Sequence, residues 1–169
     1  MREWLVAGAL VEVDGALLLV RNVRRGGSSD WSTPGGVIDA DDGSVLAGLT
    51  REVAEETGLV VTAWEGPLYD VEAEAVDLGW RLRAEVYRAV AFEGDVRVAD
   101  PDGIVVEADW VACGSCAERL ADGAVWVREP LTEWLAERWG PAARRGYRYD
   151  VRGTRRDDLS VRRGATPTR

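Results

Sequence analysis

The 169-residue chain contains no histidine, and reading it through reveals no lysine, so all 21 of its basic residues are arginine. Without imidazole there is no Ser-His-Asp or Cys-His machinery and no histidine metal ligand. Without an ammonium side chain there is no phosphate-loop lysine, Schiff base or kinase-type ATP lysine. Cysteine is scarce too: Cys113 and Cys116 form a single Cys-Gly-Ser-Cys pair. A structural zinc site usually needs four nitrogen or sulfur ligands, so the pair supplies half of one at most. It reads as two ordinary thiols in a reducing compartment. No long apolar run occurs, and the N-terminal one meets Glu12 and Asp14. That is a strand pattern, neither signal peptide nor membrane span, and the expected location is the cytoplasm. Chemistry is left to carboxylates, arginine, backbone groups, hydroxyls, the two thiols or a bound cofactor.

Acid is in excess. The formal net charge is −9, with 46% hydrophobic and 30% charged residues, as expected of one globular domain. The charge is unevenly spread: residues 142–169 carry nine arginines and three aspartates, a balance of +6, leaving −15 on the remainder. Such a body repels a nucleic-acid backbone unless cations intervene. Gly140-Pro141 marks a boundary, so the sequence divides into a domain at 1–140 and an arginine-rich extension at 141–169, expected to be partly disordered. Its arginines, with Tyr147 and Tyr149 interleaved, could dock on nucleic acid. Docking on the protein's own acidic body, or on a partner subunit of a homodimer, is the preferred reading.

Along the chain, Trp4 to Val13 and Ala16 to Val23 are strand-like and joined by Asp14-Gly15, a hairpin signal. A loop follows over 24–30, then a turn from Trp31 to Gly36. Ser44 is a fitting N-cap for a helix over Val45 to Thr57, and Gly58 closes it. Leu59 to Trp64, Leu68 to Glu72, Trp80 to Phe92 and Ile104 to Ala112 read as strands, Ser115 to Ala121 and Glu129 to Trp139 as helices. This mixture predicts an α+β class with an α/β/α layering.

The helix over 45–57 carries the chemistry. Glu52, Glu55 and Glu56 fall within about 100° of arc, beside an apolar stripe of Leu46, Leu49 and Val53. Gly48 lies on the carboxylate side one turn earlier, where a missing side chain leaves room for something to approach. Like charges at these spacings cost about 0.2–0.5 kcal/mol per pair, and they sit at the negative end of the helix dipole. A solvated acidic face is the bland alternative. A divalent cation is the natural compensation, and hard oxygen ligands without histidine select Mg²⁺ or Mn²⁺.

Pro34-Gly35-Gly36 followed by Arg51-Glu52-Val53-Ala54-Glu55-Glu56-Thr57-Gly58-Leu59 resembles the Nudix box, G-x5-E-x7-R-E-U-x-E-E-x-G-U. The second half agrees at every specified position. Gly36 to Arg51 is one position too long, and Asp42 is the better candidate for the box's first glutamate. The order of elements over about residues 3–139 is similar to the family, as is Glu107-Ala108-Asp109-Trp110-Val111 before the last helices.

The resemblance implies a Nudix-type α/β/α sandwich with a mixed sheet between helices. It also implies a metal-dependent pyrophosphohydrolase acting on a nucleoside diphosphate linked to X. A nucleoside triphosphate, oxidised or not, is the default substrate, with nucleotide sugars of ADP-ribose type as the wider class. Mg²⁺ or Mn²⁺ would be held by Glu52, Glu55, Glu56 and the Gly35 carbonyl, and Arg51 would orient the carboxylates and the preceding loop. The general base is Glu52, with Asp102 and Glu107 as alternatives. Arg81 and Arg83, on the polar face of their strand, are candidate phosphate clamps. A non-catalytic nucleotide-binding module of the same fold is the rival reading.

Overall fold

The computed structural model describes residues 1–165; residues 166–169, the end of the arginine-rich extension, lie outside the described residues. The chain begins with β1 (Arg2–Leu10), β2 (Glu12–Val13) and β3 (Ala16–Val23). The β2–β3 turn sits on Asp14 (φ 50°) and Gly15 (φ 76°), the two positive φ values that a tight hairpin matching strand twist requires. After a turn come β4 (Ser29–Ser32) and β5 (Gly35–Val37), then α1 (Val45–Thr57). Ser44 Oγ accepts the Ala47 N–H at 3.0 Å, and Gly58 ends the helix in the left-handed region at φ 79°. Leu49 and Val53 are fully buried, whereas Leu46, expected in the same stripe, is exposed.

Two predicted strand pieces are in fact one long strand, β6 (Val60–Ala75), which runs through Gly66-Pro67 and pairs with β7 (Trp80–Glu93) across register irregularities. β8 (Val105–Ala112) follows, then α2 (Cys116–Arg119) and α3 (Val125–Glu137). α3 starts four residues earlier than the sequence predicts and carries Pro130 inside it. Its packing residues, fully buried Leu131 and nearly buried Trp134, outweigh the local propensity of proline.

The expected disorder after Gly140 is not what the structure shows. Residues 145–152 form β9 (Arg145–Arg152), lying parallel to β6, and β10 (Ser160–Arg163) pairs antiparallel with β9. Tyr147, Tyr149 and Val151 alternate into the core while Arg148 and Arg152 point outward, a period-2 pattern that low overall apolar content concealed. The extension is therefore part of the main sheet, whose order is β10-β9-β6-β7-β1-β5. β2, β3, β4 and β8 make a second sheet centred on β3.

The main sheet is mixed, with β1–β7 and β6–β9 parallel and the other neighbours antiparallel. α1 covers one face through Ala7, Ala9, Leu49, Val53 and Ala89. α3 covers the other over Tyr69, Val71, Tyr147 and Tyr149. This is an α+β fold with a mixed sheet sandwiched between helices. No helix among the described residues is long and apolar enough to cross a membrane.

The arginines of the extension turn back onto acids of the body. Arg144 pairs with Asp70, Arg145 with Glu137, and Arg163 with Glu133 at 2.7 Å. Arg148 and Arg152 lie 3.9 Å from Glu74 and Asp77. Each exposed pair contributes little by itself, but together they fix how the last two strands sit.

Candidate functional site

β5 brings Gly35 and Gly36 alongside Gly8 and Ala7 of β1, and α1 lies across them. Contact there is close enough to require glycine. A Cβ on Gly35 would stand 2.0 Å from the Ala7 carbonyl oxygen, and one on Gly36 would stand 2.8 Å from the Glu52 carboxylate. Glu52 thus rests directly over the β5 backbone. One turn on, Glu56 accepts the Gly35 N–H at 3.2 Å and is only 8% exposed.

Arg51 organises the approach to this helix. Its Nε and Nη2 donate to the two carboxylate oxygens of Asp42 at 2.7 and 2.9 Å, a bidentate fork. Its Nη1 reaches Glu52 at 3.1 Å and Glu55 at 3.3 Å. Asp42 also accepts the Asp39 N–H at 2.7 Å, tying the loop before the helix. The extra residue between Gly36 and Arg51 is absorbed in this loop, and the acid that meets the arginine is Asp42. Gly48 serves the same loop and offers no opening to a ligand. A Cβ there would stand 2.7 Å from Asp42 Oδ2 and 2.8 Å from Ile38 Cδ1.

The electrostatics follow from this crowding. Burial pushes the Glu56 carboxyl up to about 8; the Gly35 hydrogen bond opposes, while Glu52, Asp100 and Glu55 add to the rise. Glu52 is raised as well, first by burial and further by Glu55 and Asp102, with Arg51 pulling the other way. Asp42 is lowered by its hydrogen bonds from Arg51 and the Asp39 amide.

Asp100 and Asp102 belong to the loop before β8, and their charges reach Glu56 and Glu52 respectively. Asp100 was not among the sequence candidates. Its carboxylate accepts the N–H groups of Asp102, Ile104 and Val105, so it builds the turn that presents Asp102. The Asp-Pro-Asp-Gly run at 100–103 is the signal that could have found it.

Three sequence candidates lie elsewhere. Glu107 is on the second sheet, half-exposed and paired with Arg21 at 2.9 Å. Arg81 is committed to Glu74 at 3.1 Å, with Glu3 and Glu72 close by. Arg83 lines a cavity of about 790 Å³ together with Asp70, Glu72, Arg144 and Arg148. The two thiols are free: Cys116 is buried and Cys113 donates to Glu12, and burial raises both. Neither is an activated nucleophile.

Among the described residues, no group of three or more Cys, Asp or Glu side chains is arranged, as it stands, to hold a metal ion. The carboxyls are instead held by Arg51 and the Gly35 amide. The donor set nevertheless suits a hard divalent cation. It is all oxygen, it is clustered on one helix face against a backbone strand, and its members raise one another's pKa.

The NUDIX domain family model matches residues 2–135. A MutT NUDIX hydrolase from Burkholderia pseudomallei is 30% identical, with 68% of this chain and 86% of that one covered at a TM-score of 0.59. The NUDIX domain of Shewanella oneidensis NrtR, solved in complex with ADP ribose, is 22% identical over 82% of this chain and 89% of that one, at 0.65. A MutT-like protein of Streptomyces ambofaciens is 45% identical over 56 residues, and the match spans about a third of each chain (33% and 34%).

Proposed function

The chain belongs to the Nudix family, and from that premise we propose that it hydrolyses the pyrophosphate bond of a nucleoside diphosphate linked to another group. The observation that carries this reading is the seating of Glu52 and Glu56 on the Gly35-Gly36 backbone, with Arg51 and Asp42 fixing the helix behind them. A merely solvated acidic face has no need of a glycine that makes room for Glu52, nor of a backbone amide donated to Glu56.

Glu52, Glu55 and Glu56, with the Gly35 carbonyl, are the residues that would hold Mg²⁺ or Mn²⁺. The cation would neutralise charge on the pyrophosphate and lower the pKa of a bound water. The rest falls to the chain's own groups. Arg51 keeps the carboxylates in place through its fork on Asp42, acting as a positioning residue. Glu52 is the proposed general base, and Asp102, whose charge reaches it, is the alternative. Glu107 is a weaker candidate because Arg21 occupies it. The relatives, a MutT NUDIX hydrolase and a NUDIX domain solved with ADP ribose, support the substrate class. The cytoplasm remains the proposed location.

Substitution of Glu56 by Gln tests the reading. Metal-dependent release of phosphate or nucleoside monophosphate from a nucleotide panel should disappear, while the melting curve without metal stays equal or improves. Full activity in this variant would sink the site assignment. Nucleotide binding by the wild-type protein, without hydrolysis of any panel member, would favour a non-catalytic module instead.

A further inference from the structure

A further cavity, of about 350 Å³, lies where α2, α3 and β10 meet. Ala117 of α2, Arg128, Glu129, Thr132 and Glu133 of α3, and Arg163 of β10 line it. α3 packs over Tyr147 and Tyr149 on one face of the main sheet, whereas Glu52 rests on the β5 backbone beneath α1. The sheet therefore separates this cavity from the carboxylate site.

Arg128 is the residue that the fold leaves unexplained. Its Nε is shielded from solvent without a hydrogen-bond partner, and its guanidinium makes no ion pair with a described residue. A shielded donor without an acceptor destabilises a fold, so such groups are rare unless something else meets them. Arg163 adds donor capacity beside it. Its two terminal nitrogens donate to Glu133 at 2.7 and 3.3 Å and its guanidinium lies over the Tyr147 ring, while its Nε donates to no described residue.

The acids of the cavity differ in what they have left to offer. Glu133 is committed to Arg163 and the Tyr147 hydroxyl. Glu129 accepts only the Tyr149 hydroxyl, at 2.9 Å, through one of its oxygens. Adjacent residues of a helix do not face each other, so Arg128 and Glu129 line one cavity without pairing. Thr132 donates its proton to the Arg128 carbonyl at 2.6 Å, which leaves its oxygen able to accept one.

A ligand matched to this mixture needs negative oxygens for the arginines and a proton for Glu129 or Thr132. Carboxylates and sulfate are acceptors only, whereas inorganic phosphate keeps a proton at neutral pH. We infer that this cavity is a phosphate-binding site, in which Arg128 and Arg163 hold the anionic oxygens and Glu129 accepts the phosphate O–H. The site stands independently of the hydrolase reading.

Titration calorimetry with inorganic phosphate and with sulfate, in EDTA at equal ionic strength, tests this. Without a cation, Glu52, Glu55 and Glu56 repel either anion, so heat of binding reports the α3 cavity. Phosphate should bind the wild type saturably, and sulfate at least about tenfold more weakly, as expected when a hydrogen bond to a charged group is missing. Arg128→Gln should weaken phosphate by a similar factor. Its melting temperature without phosphate should stay equal or rise, because the arginine has no described partner to lose. Glu129→Gln should narrow the preference for phosphate, since an amide can donate to a sulfate oxygen. Equal affinity for the two anions in the wild type, binding of neither, or unchanged phosphate affinity in Arg128→Gln would overturn the site. None of these outcomes bears on the Glu56→Gln test of hydrolysis.

Discussion

Gly48 shows how one missing Cβ can be misread along a sequence. Its place on the carboxylate face suggests an opening for a ligand, yet the space is filled by Asp42 and Ile38. Asp42 cannot swing aside cheaply, because Arg51 grips both its oxygens and the Asp39 amide holds it as well. Intrinsic propensity alone would make Gly48→Ala stabilising by about 1 kcal/mol in a helix interior. The expected outcome is the reverse: a lower melting temperature, and reduced turnover as Arg51 loses its anchor. A melting temperature raised by the substitution would show that the loop has slack. The motif made Asp42 legible as the box's first acid and Arg51 as the residue that orients the preceding loop, and the structure adds that the two meet in a bidentate fork. Asp100 was passed over: the Asp-Pro-Asp-Gly run announces a turn, but that the turn lies beside the glutamates is set by tertiary packing.

Among elements, α1 was read almost residue for residue because its boundaries are set locally, by Ser44 and Gly58. β9 and β10 were missed because what orders them is tertiary: pairing with β6 and burial under α3. Glu133 of α3 is central to that attachment, accepting Arg163 of β10 at 2.7 Å and also the Tyr147 hydroxyl of β9. The hydrogen bond from Arg163 holds its carboxyl below the usual range, outweighing partial burial, with Tyr147 assisting. A folded-state pKa below the unfolded one means that the contribution is complete above the unfolded value, about 4.3. It is lost as pH falls through the lower folded value. Glu133→Gln should therefore melt below the wild type by a constant margin near neutrality, and that margin should close under about pH 4. A margin that persists into strong acid would assign the defect to packing, not charge.

For the whole molecule, the unequal charge distribution takes on a structural meaning. A body at −15 and a tail at +6 could describe a globule with a loose basic arm. In the fold the arm is two strands of the main sheet, and its arginines meet Asp70, Glu133 and Glu137. Truncation after Gly140 tests how far the family-matched span depends on it. The cut removes Tyr147, Tyr149 and Val151, none more than 4% exposed, and uncovers Tyr69 and Val71 beneath α3. Burying three such side chains contributes on the order of 5–9 kcal/mol at 1.5–3 each, an upper figure. A domain of this size has only about 5–15 kcal/mol of net stability to lose. The truncated chain should therefore lack a cooperative thermal transition by circular dichroism and expose apolar surface to a dye such as ANS. A cooperative melt within a few degrees of the full chain would mean that β1 to α3 fold by themselves and that the last two strands only decorate the sheet.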